Sequence, residues 1–151
     1  MGMSRIKVLG RIIHRARPGL VILAWGVSIS SFALAAILQG LLIPSRYYGA
    51  YTGAPVPLGI ILFYIGIIGV SILASIVLDD AATAVLGLFA SYVLAIMLTY
   101  LALSLPTLEG AYPPAALTQA AIVFTFTALF PFPILALILG TLVGVALSER
   151  F

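Results

Sequence analysis

Four long apolar segments without an ionisable side chain constrain the fold of this chain most. They cover residues 19–43, 57–78, 81–105 and 115–147, and none contains Asp, Glu, Lys, Arg or His. A helix needs about 20 apolar residues to cross a hydrocarbon core about 30 Å thick. With 64% hydrophobic and 7% charged residues, a soluble chain of this length could not bury its apolar side chains. The sequence predicts an all-α integral membrane protein, a four-transmembrane-helix bundle.

Two aspartates separate the second and third segments. Residues 57–105 as one helix would measure about 73 Å at about 1.5 Å per residue, so the chain must turn at Asp79 and Asp80. A carboxylate accepts hydrogen bonds from the free N–H groups of a helix start and suits the helix dipole. We therefore predict that Asp79 or Asp80 caps the third helix at a hairpin. A magnesium-binding enzyme site is the alternative, but it needs further carboxylates one turn away, and residues 81–84 are Ala-Ala-Thr-Ala.

Pro131 and Pro133 interrupt the fourth segment, which at 33 residues is too long for one straight span. A proline inside a helix removes a backbone donor and clashes with the preceding turn. One reading is a single helix kinked at Pro131 and Pro133. The other is a re-entrant pair or two short spans. The halves, about 16 and 14 residues, fall below the usual spanning length of about 17–25 residues, which favours the single kinked helix.

Residues 1–18 form a basic segment before the first span. Its apolar residues gather on one side of a helical wheel and its cations on the other, which predicts a short amphipathic helix in the membrane interface. We expect the cations to contact anionic lipid head groups, although a docking helix for a cytoplasmic partner is an alternative. Pro18 disfavours helix at Arg17 and predicts a bend there. The membrane-surface residues are Arg5, Lys7, Arg11, Arg15 and Arg17.

The same five cations predict the topology. Lysine and arginine mark the cytoplasmic side, which puts the N-terminus and the tail, residues 148–151, in the cytoplasm of a cell-membrane protein. A signal peptide also follows a basic region, but its apolar core has about 7–15 residues, so we interpret the first segment as a retained span. The two outer loops, residues 44–57 and 105–114, carry tyrosines typical of the interface and prolines, Pro106 included, that are expected to stop helices.

Small residues recur every three or four positions along the spans, a spacing that lets helices approach closely. The predicted helix-packing or partner-interface stripes are Ala136, Gly140, Gly144 and Ser148 on the fourth segment, and Gly87, Ser91 and Ala95 on the third. Two more are Ala24, Ser28, Ser31, Ala35 and Gln39 on the first, and Thr118, Ala121, Thr125 and Ala128 on the fourth. Four helices have few inward faces, so this number of stripes favours contacts with other chains. The alternative is that the stripes only hold the four helices together.

The residues that carry most enzyme chemistry are missing from this sequence. It has no cysteine and one histidine, His14, so we expect no catalytic, cofactor or metal site and a chain that is not an enzyme. Proton-coupled pumps need ionisable residues inside the membrane, and the local cluster of cations is a topology signal and not a nucleic-acid footprint. The scarcity of Gln and the lack of Asn and Cys match a trend reported for thermophiles.

These observations predict a non-catalytic accessory, structural or assembly subunit of a larger membrane complex. Its partners would be other integral membrane subunits or further copies of itself. The alternative is a small homo-oligomeric transporter or channel for an uncharged or lipidic substrate, in which the break at Pro131 and Pro133 would supply irregular backbone.

Overall fold

A computed structural model describes residues 3–42, 58–78, 80–108 and 114–150, and for residues 3–16, 107, 108 and 114 it describes the backbone alone. Within these ranges the chain forms five α-helices: α1 (Met3–Leu38), α2 (Leu58–Leu78), α3 (Ala81–Leu108), α4 (Pro114–Leu129) and α5 (Phe132–Ser148). Four stretches are long and apolar enough to span a membrane: Arg17–Leu38, Leu58–Leu78, Ala81–Pro106 and Ala115–Ser148. The predicted all-α membrane bundle is confirmed.

Two prolines lie inside helices that they were expected to interrupt. Helix α1 runs through Arg17 and Pro18, and α3 runs through Pro106 to Leu108. Helix was disfavoured at Arg17 by the prediction from Pro18 and was expected to end before Pro106, and both of these expectations are wrong. Membrane helices tolerate proline because neighbouring groups and small local adjustments satisfy the freed backbone carbonyls.

A glycine ends α1 five residues before the predicted end of the first span. Gly40 has φ 68°, a conformation that glycine adopts without steric cost. The N–H of Gly40 bonds to the carbonyl of Ile37 at 2.9 Å, and the N–H of Leu41 bonds to the carbonyl of Ala36 at 2.9 Å. This pair of bonds is the Schellman C-cap, which satisfies the last carbonyls of a helix. Gly40 in the sequence indicates this helix end, but the span was predicted to continue to Ile43 because the apolar residues continue that far.

Asp80 caps the N-terminus of α3, as predicted for this pair of aspartates. Its carboxylate accepts the backbone N–H of Thr83 at 2.8 Å and also the Thr83 hydroxyl. These bonds hold the pKa of the exposed Asp80 carboxyl below its ordinary value of 3.8. Asp79 lies outside the described residues, as do the predicted interfacial tyrosines Tyr47, Tyr48, Tyr51 and Tyr112.

The cap predicts a step in stability at acid pH. Because the folded pKa of Asp80 is lowered, its contribution is complete above the unfolded pKa and is lost as the pH falls through the folded value. Asparagine caps helices about as well as aspartate but does not titrate. We expect the thermal midpoint of the Asp80→Asn variant to fall less than that of the native chain between pH 5 and pH 3. Equal losses in the two proteins would contradict this role of Asp80.

The fourth apolar segment is broken at Phe130 and Pro131. Helix α4 has 16 residues and ends at Leu129, and α5 has 17 residues and carries Pro133 in its first turn. At about 1.5 Å per residue each half is about 24–26 Å long, too short to cross the hydrocarbon core alone. Helix α4 packs chiefly against α3, and α5 packs chiefly against α2. The fourth span is thus one interrupted segment whose halves contact different neighbours.

Candidate functional site

The most regular small-residue stripe forms the contact between α5 and α2. A Cβ atom at Gly140 would lie 2.7 Å from the carbonyl oxygen of Ile68, and one at Gly144 would lie 2.7 Å from that of Ile72. Real Cβ atoms essentially never come so close to another heavy atom, so only glycine fits at these two positions. Ala136, one turn earlier, is buried as well. This stripe packs two helices of the same chain.

The stripe on α3 contacts α1 in the same way. A Cβ atom at Gly26 would lie 2.9 Å from the carbonyl oxygen of Ser91. One at Gly87 would lie 3.1 Å from Cδ1 of Leu78 on α2 and 3.3 Å from Cγ1 of Ile22 on α1. Both Gly87 and Ser91 are buried. Ser148, at the end of α5, is half-buried and donates its hydroxyl to the carbonyl of Val145 at 2.8 Å. The third stripe, on α4, is also buried at its centre (positions 121, 125 and 128).

The described helices leave the fourth stripe, on α1, uncovered. We call it the α1 stripe; it consists of Ala24, Ser28, Ser31, Ala35 and Gln39. Ser28 is half-buried and the other four residues are exposed. The hydroxyls of Ser28 and Ser31 donate to carbonyls of their own helix, each at 2.8 Å, so they hold no other helix of the described chain.

Two cavities run along the α1 stripe where it meets α2. One, of about 290 Å³, is lined by Ala24 and Ser28 together with α2 residues such as Val70 and Leu73. The second, of about 160 Å³, includes Ala35 and Gln39. Elsewhere each of the described helices exposes large apolar side chains. The α1 stripe with its two cavities therefore forms a shallow groove that side chains of another helix could fill.

Several hydroxyl groups inside the bundle bond to other helices or to their own backbone. Ser30 and Thr99 share a hydrogen bond of 3.0 Å between α1 and α3. The indole N–H of Trp25 donates to the hydroxyl of Ser71 on α2 at 3.3 Å. Such bonds contribute about 0.6–2 kcal/mol each in membrane proteins. These bonds therefore support packing between the helices.

A tyrosine in the middle of α3 donates a hydrogen bond to a backbone carbonyl at the break between α4 and α5. Proline has no N–H, so the carbonyl of Leu129 lacks the donor that residue 133 would give in a continuous helix. The hydroxyl of Tyr92 donates to this carbonyl at 2.8 Å. This pair was not predicted from the sequence, although two features indicate it. Tyr92 lies mid-span, where a tyrosine hydroxyl needs a partner, and Pro133 lies four residues after Leu129.

Beside this bond lies a cavity of about 370 Å³ between α3 and α4, which we call the α3–α4 cavity. Four aromatic rings and four smaller side chains form its walls, and none of them is Asp, Glu, Lys, Arg or His. The lining residues are Tyr92, Ile96, Tyr100, Ile122, Thr125, Phe126, Leu129 and Phe130. Phe126 and Phe130 pack against each other with ring centroids 4.9 Å apart. Phe126 is 62% exposed and Ile122 is 54% exposed, so the cavity opens on the lipid-facing side.

One wall residue has an unpartnered polar group. Thr125 is 5% exposed, and its hydroxyl oxygen has no hydrogen-bond partner. Leaving a buried hydroxyl unpaired costs about 1–3 kcal/mol. Thr141, equally buried on α5, instead donates to the carbonyl of Leu137 at 2.9 Å. The sequence placed Thr125 on a packing stripe but gave no sign that its hydroxyl would lack a partner.

The predicted membrane-surface cations lie on α1. Arg17 is exposed, whereas Arg5, Lys7, Arg11 and Arg15 lie in the part described by its backbone alone. Among the described residues, no three His, Asp or Glu side chains lie close enough to hold a metal ion. Comparisons of the chain with protein-family models, curated proteins and solved structures found no match. The α1 stripe and the α3–α4 cavity are therefore the two candidate functional surfaces of the described chain.

Proposed function

We propose that this protein is a non-catalytic subunit of a larger membrane complex and that it docks against another transmembrane helix through the α1 stripe. The observation that carries this proposal is the unequal use of the four small-residue stripes. Three are covered by helices of the same chain, whereas the α1 stripe is open and bordered by two cavities. Small residues favour close helix approach without a hydrophobic driving force. The partner is an apolar helix of another subunit or of a second copy.

The docking proposal predicts the effect of filling the stripe. Leucine at Ser31 and Ala35 would hold a partner helix away from α1, while both positions are exposed in the single chain. Overpacking costs about 1–3 kcal/mol, and about 1.4 kcal/mol is a tenfold change in affinity. We expect the Ser31→Leu/Ala35→Leu double variant to lose at least about nine-tenths of the partner that co-purifies with the tagged native chain in mild detergent.

A matched control is available on another helix. Ala90 is also exposed, but it lies on a face of α3 among large lipid-facing side chains such as Leu86 and Val93. The Ala90→Leu variant is expected to keep its partner. Recovery of the native chain as a lone monomer, or equal loss of partner in the two variants, would overturn the docking role.

The second candidate function is a homo-oligomeric transporter or channel for an uncharged or lipidic substrate. It is supported by the break at Phe130 and Pro131 beside an uncharged cavity, because irregular backbone at membrane depth is tolerated where it lines a cavity. Proteoliposomes that contain the protein would then pass an uncharged solute faster than protein-free vesicles. Equal fluxes across a panel of such solutes would rule against this function.

The cation distribution supports the cell membrane as the location, with the N-terminus in the cytoplasm. The native chain has no cysteine, so one introduced cysteine is a unique label site. A membrane-impermeant maleimide added to intact cells is expected to label the Thr52→Cys variant at once and the Ser4→Cys variant only after lysis. The reverse pattern would invert the orientation.

A further inference from the structure

We propose that the α3–α4 cavity binds an uncharged, lipid-soluble ring compound that carries an oxygen able to accept a hydrogen bond. The cavity is independent of the α1 stripe, since none of its lining residues lies on α1. This binding site goes beyond the docking role, and its failure would leave that role intact.

The size and walls of the cavity favour a ring. An engineered cavity of about 150 Å³ in another protein binds benzene, and this cavity offers about 370 Å³. The rings of Tyr92 and Tyr100 stand on the α3 side, and those of Phe126 and Phe130 stand on the other. Aromatic rings prefer offset or edge-to-face contacts with centroids about 4.5–7 Å apart, a geometry that an inserted planar ligand can share with several of these walls.

The hydroxyl of Thr125 selects for an oxygen on that ring. It is buried and unpartnered, while the Tyr92 hydroxyl is already bonded to the carbonyl of Leu129. A helical threonine has two accessible side-chain rotamers, so its hydroxyl can turn towards a ligand in the space that Thr125 lines. A carbonyl or ether oxygen would supply the missing partner, which a plain hydrocarbon cannot do.

The charge of the cavity lining and the position of its opening indicate that the ligand is uncharged and lipid-soluble. No lining side chain is Asp, Glu, Lys, Arg or His, so a charged ligand would find no counter-ion and would lose its hydration on binding. The exposed side chains of Ile122 and Phe126 put the opening against the lipid, so the ligand arrives from the bilayer. The Tyr92 bond fixes the wall beside the break before any ligand binds, and preformed pockets bind with a smaller entropy loss.

Benzophenone tests this directly, because it is an uncharged two-ring ketone that cross-links to nearby C–H groups on irradiation. The full-length chain in nanodiscs of saturated phosphatidylcholine would be irradiated with it, and the labelled peptides mapped by mass spectrometry. We expect labelling within residues 92–100 and 122–130. Fluorenone, a planar ketone, should compete for the site, whereas hexadecane should not.

The Thr125→Val variant removes the hydroxyl while keeping the side-chain shape. We expect its half-labelling concentration to rise about fivefold, the equivalent of one neutral hydrogen bond. Thr141→Val is the matched control, because it removes a buried hydroxyl away from the cavity and should leave labelling unchanged. The Ile96→Trp variant fills the cavity and should abolish labelling of both peptides.

Three results would overturn the proposal. Labelling that hexadecane suppresses as well as fluorenone would mean that an ordinary acyl chain occupies the cavity. Labelling that is unchanged by Ile96→Trp would place the probe elsewhere on the surface. Equal labelling of the native chain and the Thr125→Val variant, both with native circular dichroism, would show that the Thr125 hydroxyl does not bind the ligand. If Thr125→Val does not fold, the Ile96→Trp and competition results decide.

Discussion

Alanine at Gly140 or Gly144 is expected to lower the free energy of unfolding by about 1–3 kcal/mol, the usual range for overpacking. The added methyl group would meet a backbone carbonyl oxygen of α2 at 2.7 Å in either variant. Neither carbonyl can move without moving α2, so the two helices must separate along the contact that joins them. Unfolding in sodium dodecyl sulfate, followed by circular dichroism, would measure the loss.

Gly69 supplies the control for this prediction. It lies on α2, and a Cβ atom there would have no heavy atom within 4 Å. Alanine favours helix over glycine by about 1 kcal/mol, so the Gly69→Ala variant should be as stable as the native chain or slightly more stable. If Gly140→Ala matched Gly69→Ala, close approach at Gly140 would not be what holds α5 to α2.

Removing the Tyr92 hydroxyl is expected to lower the free energy of unfolding by about 1–2 kcal/mol, because the Leu129 carbonyl loses its only side-chain donor in the described structure. The Tyr92→Phe variant keeps the ring and its packing, so the loss reports the bond. Hydrogen–deuterium exchange should also rise first at the start of α5, next to the break.

Tyr100→Phe is the comparison for Tyr92→Phe. Tyr100 lines the same cavity from the same helix, two turns further on, and its replacement leaves the bond between Tyr92 and Leu129 in place. We expect it to change the free energy of unfolding by less than about 0.5 kcal/mol, as is usual away from buried polar bonds. Equal losses for the two variants would show that the Leu129 carbonyl does not depend on Tyr92.

The sequence pattern of the small-residue stripes did not show which stripes pack helices of the same chain and which one stays exposed. In sequence the four stripes are alike: small residues at a spacing of three or four. In the structure, Gly140 and Gly144 face α2 and Ser91 faces α1, whereas Ser31 and Ala35 face outwards. A stripe of small residues indicates that another helix can approach closely. Which helix approaches depends on the spatial arrangement of the helices in the bundle, and the sequence of a single segment does not determine that arrangement.

Hydropathy, segment length and the two aspartates determined the class of this protein, the number of its spans and the hairpin at Asp80, because the thickness of a bilayer and the needs of a helix start are local constraints. The prolines of the sequence also located the break at Pro131, but the disruption of helix that was expected at Pro18 and Pro106 did not occur. Tertiary structure alone decided that Tyr92 serves the Leu129 carbonyl, that Thr125 lacks a partner beside an apolar cavity, and that the α1 stripe stays uncovered. Each of these depends on atoms brought together from different helices. A sequence pattern specifies the face a helix offers, and only packing assigns that face a neighbour.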